Sequence, residues 1–69
     1  MKTVEEITEE LQTARREMIK AKVLYRRNEA TYDDMAAAAK KVAALTFDWQ
    51  KAKFPNRRPV RVSYQSLLR

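Results

Sequence analysis

Lys51, Lys53, Arg57, Arg58 and Arg61 fall within residues 51–61, and Tyr64 follows shortly after. Ammonium and guanidinium groups at this density hold anions, either the phosphates of a nucleic-acid backbone or the carboxylates of an acidic protein. With Trp49 and Tyr64 nearby, the same residues could serve a single strand, charge on its backbone and rings on its bases. No base-reading motif accompanies them. The closing stretch FPNRRPVRVSYQSLLR, residues 54–69, carries both prolines of the chain and four arginines, the last being Arg69.

Charge is divided unevenly along the 69 residues. Residues 1–35 hold 7 basic and 8 acidic side chains, net −1, and residues 36–69 hold 8 basic and 1 acidic, net +7, which together give the formal +6. Two readings compete. In one, Glu5, Glu6, Glu9 and Glu10 face Lys51, Lys53 and Arg57 across a helical hairpin and neutralise them. In the other, the second half remains a basic face for a partner, together with Arg15, Arg16, Lys20, Lys22, Arg26, Arg27, Lys40 and Lys41.

Other chemistries lack their residues. The chain has no Cys, no His and no Gly. Thiolate and imidazole nucleophiles, bases and metal ligands are therefore missing, and so are the glycine-rich loops that cradle phosphate. No enzyme activity and no cofactor is expected. The pairs Glu5/Glu9 and Glu6/Glu10 compensate the positive end of a helix dipole, and no metal is expected there. The start, MKTVEEITEE, has no apolar core of a signal peptide, and MAAAAKKVAAL is too short and too charged to span a bilayer. A cytoplasmic protein without a membrane partner is the expectation.

The elements that position the basic residues are two long helices. Val4, Ile7, Leu11, Ala14, Met18, Ala21 and Tyr25 are spaced 3, 4, 3, 4, 3, 4, a heptad seam. Thr3 with Glu6 forms a capping box at its start, so the first helix covers about residues 3–28. The second starts at Thr31, whose box partner is Asp34, and runs to about residue 54, where Pro55 disfavours further helix. Met35, Ala38, Val42, Leu45, Trp49 and Ala52 make one seam. Tyr32, Ala36, Ala39, Ala43, Phe47 and Phe54 line a second, and a wide apolar face needs a second partner surface.

The fold class expected is all-α: an antiparallel helical hairpin or coiled coil over residues 1–55, with an extended basic tail over 56–69. Asn28 as a left-handed C-cap and Thr31 as an N-cap favour the hairpin. The alternative is one continuous helix, since the seam passes through Asn28 without a Gly or Pro. In the tail, Val60, Val62 and Tyr64 alternate with polar residues in a strand pattern. Ser63 capping a short final helix with Leu67 and Leu68 is the other option, and three roles compete for the tail: covering the bundle, docking a partner, or reaching a nucleic acid.

Ordering this chain costs on the order of 100 kcal/mol. A compact globule of its mass buries about 7,000 Å2, roughly 60% apolar, which stabilises by about 105 kcal/mol. An elongated hairpin buries less. A homo-oligomer is therefore expected, a dimer first, through Leu11, Met18, Tyr25, Met35, Val42 and Trp49. The function expected is a small self-associating interaction or adaptor protein whose basic face docks an acidic partner. A nucleic-acid-binding accessory protein and a structural assembly subunit are the alternatives. If the helices need a second copy, the thermal midpoint rises with protein concentration. A concentration-independent midpoint in a monomer-sized particle contradicts self-association.

Overall fold

The computed structural model describes residues 2–68. Among them are three helices, α1 (Val4–Arg26), α2 (Tyr32–Lys53) and α3 (Tyr64–Leu67), and no strand. α1 and α2 pack against each other as a hairpin.

Local chemistry sets the hairpin. Thr3 caps α1, its hydroxyl accepting the Glu6 amide at 3.2 Å, but Glu6 returns no bond to the Thr3 amide, so only half of the expected capping box forms. At the far end the Glu29 amide donates to the Leu24 carbonyl at 2.8 Å, and the Asn28 amide to the Tyr25 carbonyl at 3.0 Å. That pair of bonds is the Schellman closure. It requires a left-handed residue, and Asn28 supplies it with φ 61°. Asparagine tolerates this region better than most non-glycine residues. Thr31 then opens α2 with both halves of a capping box, exchanging bonds with Asp34 at 3.3 and 3.2 Å. One helix stops and the next starts within five residues, so the continuous helix does not form. Tyr25 and Tyr32 meet edge to face across the turn, centroids 6.1 Å apart.

The seam combines large apolar residues with alanines. Ile7, Leu11, Ala14 and Met18 are buried on α1, and Met35, Ala36, Ala39 and Val42 on α2. Ala39 is 0% and Ala14 1% exposed. No polar or charged residue is buried among those described.

α2 ends as the Phe54 amide bonds the Gln50 carbonyl at 2.8 Å, one residue before Pro55. The chain then returns along α2. Gln50 holds Val60 by both backbone groups, accepting its N–H at 3.1 Å and donating to its carbonyl at 2.9 Å. Ser63 caps α3, accepting the Gln65 amide at 3.3 Å. Tyr64, Leu67 and Leu68 pack against the cluster of Leu11, Ala14, Met18, Ala39 and Val42, and α3 lies on α2.

The strand pattern of Val60, Val62 and Tyr64 therefore forms no strand. Among the described residues there is no second strand to pair with, and the Gln50 amide takes the backbone bonds of Val60 instead. The option with Ser63 as a cap is the one observed, and the tail covers the bundle.

The particle measures 43 × 20 × 14 Å, with a radius of gyration of 13.0 Å. A compact chain of this length has a radius of about 11 Å. Since Leu67 and Leu68 cover the core, Leu67→Ala with Leu68→Ala should cost about 2 kcal/mol, lowering the melting midpoint by about 10 °C. Circular dichroism melts measure this, and an unchanged midpoint contradicts a packed α3.

Candidate anion-binding face

Helical spacing places cations over rings at the end of α2. A cation four residues after an aromatic shares its face of the helix. The Lys53 ammonium lies 4.8 Å from the centroid of the Trp49 ring, and Lys51 lies 5.4 Å from that of Phe47. The tail adds its arginines to Phe47 and to Phe54. Arg61 is 5.5 Å from Phe47, and Arg57 is 5.5 Å from Phe54. Trp49 and Phe54 meet edge to face at 6.0 Å. Each exposed cation–π contact contributes about 0.5–1 kcal/mol. The rings orient the cations and leave their charge unneutralised.

Trp49 is fixed by more than its ring contacts. Its indole N–H donates to the Thr8 hydroxyl at 2.9 Å, and that hydroxyl donates to the Val4 carbonyl at 2.7 Å. The indole thus ties α2 to the first turns of α1.

The pairing of Glu5, Glu6, Glu9 and Glu10 with Lys51, Lys53 and Arg57, the first of the two readings, does not form among the described residues. The ion pairs among the described residues are Lys2–Glu10 at 2.6 Å and Lys41–Glu17 at 3.7 Å. The hydrogen bond from Lys2 to Glu10, and then the charges of Glu10, Glu6 and Asp48, raise the Lys2 ammonium above its ordinary range. Lys2 and Lys41 therefore serve the acidic groups, and they line one depression together with Glu6, Glu9 and Glu10. Lys51, Lys53, Arg57, Arg58 and Arg61 are exposed, and none of them makes an ion pair among the described residues.

Of the anion-contact residues expected from sequence, Lys53 and Arg57 gather at Trp49 and Phe54, while Lys51 and Arg61 gather at Phe47. Arg58 lies beside the first group, lining a depression with Arg57. Tyr64 stands apart. It is half-buried in α3 under Lys40, 5.0 Å from its ring centroid, roughly 16 Å along α2 from Lys51 at 1.5 Å per residue. Arg69 lies outside the described residues. Of the residues expected in self-association, Leu11, Met18, Met35 and Val42 are buried inside the hairpin. Trp49 is half-buried and Tyr25 is exposed at the tip. Sequence reading missed Phe47 as a ring shared by two cations, although its spacing to Lys51 carried the signal. It also missed Gln50, whose grip on Val60 has no sequence signature.

Among the described residues no group of three metal-ligating side chains comes together, and no helix is long and apolar enough to cross a membrane. The chain matches no protein-family model, no curated protein and no solved structure.

Gln50 fixes the end of the segment that carries Arg57 and Arg58. Gln50→Ala removes both hydrogen bonds to Val60, worth about 1 kcal/mol each. Amide hydrogen exchange at Val60 should then accelerate about tenfold or more, and an unchanged rate means that Gln50 does not hold the segment.

Proposed function

We propose that the chain is a small non-enzymatic interaction protein that docks an acidic partner on the cationic end of α2 and the segment after it. The observation that carries this reading is the group Lys51, Lys53, Arg57, Arg58 and Arg61, exposed and outside every ion pair among the described residues. Charges of one sign held on a rigid scaffold steer an oppositely charged partner and fix its orientation.

The surface area points the same way. The chain exposes 5556 Å2, whereas a compact chain of 8.1 kDa exposes about 4,500 Å2. The excess, about 1,000 Å2, is the size of one partner's share of an ordinary interface.

Self-association belongs to the same proposal, with a dimer as its form. Because Leu11, Met18, Met35 and Val42 pack within the hairpin, a second copy would meet other apolar residues. Ile19 and Val23 are exposed one turn apart on α1, and Tyr25 and Tyr32 are exposed at the tip.

A nucleic-acid backbone is the second reading, favoured by the α1 cations. Arg15, Arg16, Lys20, Lys22, Arg26 and Arg27 extend the positive charge along a particle 43 Å long, and none is ion-paired among the described residues. Stacking has less support. Lys53 lies over the Trp49 ring and the indole N–H is already bonded.

Fluorescence anisotropy separates the two. An acidic peptide should bind at low salt and release as salt rises, and Arg57→Ala with Arg58→Ala should weaken it by about tenfold. No binding of the acidic peptide contradicts the acidic-partner reading. Tighter binding of random duplex DNA, with a salt slope of about −0.9 per phosphate, would transfer the function to nucleic acid.

A further inference from the structure

Two depressions meet at Trp49. One is walled by Arg15 and Thr46 among others, and the second, of about 350 Å3, by Phe54, Arg57, Arg58 and Val60; Thr46 and Trp49 line both. The volume is at the lower end of ligand sites, which suits one side chain rather than a whole small molecule. No carboxylate lines either depression. The depression that holds Glu6, Glu9 and Glu10 is a separate one. Phe54 is 40% and Val60 67% exposed, so apolar walls stand open beside three arginines.

We infer that these joined depressions form a groove for an acidic peptide segment bearing one aromatic or large apolar side chain. That side chain seats against Phe54, Val60 and the part of Trp49 that lines the depression. The flanking carboxylates meet Arg57 and Arg58 at one end and Arg15 at the other. Charge complementarity sets the sign of the occupant, because every ionisable group on the groove is an arginine. The apolar walls set its anchor, because they gain most from a group that leaves water. A stacked base fits less well, since it would displace Lys53 from its position 4.8 Å over Trp49. The inference rests on the acidic-partner reading and adds a defined anchor site to it.

The single tryptophan lies in the groove and reports directly. The probes are a decapeptide of Asp and Glu with one central Phe, the same peptide with Ala in its place, and a single-stranded oligonucleotide. The Phe peptide should bind about tenfold more tightly than the Ala peptide and shift the Trp49 emission. Phe54→Ala should remove that preference. Val60→Ser, at an exposed position that leaves the fold intact, should reduce it. Equal binding of both peptides with unchanged emission overturns the groove and leaves acidic docking standing. Binding of neither peptide overturns both. An oligonucleotide that binds more tightly than the Phe peptide and quenches Trp49 overturns the groove in favour of base stacking.

Discussion

The packing of α1 on α2 is centred on two alanines. Ala14 and Ala39 are the most completely buried residues of the seam. Only a side chain this small brings two backbones together without strain, because tightly packed interiors absorb even one extra methylene poorly. The consequence extends beyond the pair. Ala39, on the second seam of α2, sits in one cluster with Leu11, Ala14 and Met18 of α1, and its short side chain leaves a shallow surface for the returning tail. Tyr64, Leu67 and Leu68 fill that surface. A larger residue at 39 would push away α1, α3 or both.

That architecture decides where the charge goes. The tail runs back along α2, held by Gln50 at Val60, and its arginines remain at the end of the hairpin instead of crossing to the glutamates of α1. Lys2 and Lys41 meet Glu10 and Glu17. The cations of α2 and the tail rest over Phe47, Trp49 and Phe54. A ring holds a cation in place without neutralising it, so the packing that orders the tail also prepares a charged surface.

Much of the fold was legible because local and periodic signals agreed. The seam of α1 reads directly onto its buried residues Ile7, Leu11, Ala14 and Met18. Thr3, Asn28 and Thr31 act as the caps their side chains suggest, and Pro55 follows the last residues of α2. The second seam through Ala36, Ala39 and Ala43 pointed to another covering element. That the tail covers it at Ala39 was one option among others, and the choice was not legible because contacts between residues far apart in sequence place the tail. Alternation at Val60, Val62 and Tyr64 resembled a strand because extended chain and strand share the period of two; only a pairing partner distinguishes them. At the candidate site, the basic residues were evident from composition, and the ion pairs were not. Which lysine meets which glutamate depends on side-chain reach, and Glu10 pairs with Lys2 just before its own helix rather than with a cation of α2 or the tail.

The dependence of the whole on a tail packed over the alanine seam can be examined by nuclear Overhauser contacts in the intact protein. The fold described here predicts contacts from the Tyr64 ring and the Leu67 and Leu68 methyls to Ala39 and Val42. It also predicts one from the Trp49 indole proton to the Thr8 side chain. Random-coil shifts for residues 60–68, with no contact to α2, would contradict it: the arginines would then lie on a free tail, and no fixed surface would exist at the end of the hairpin.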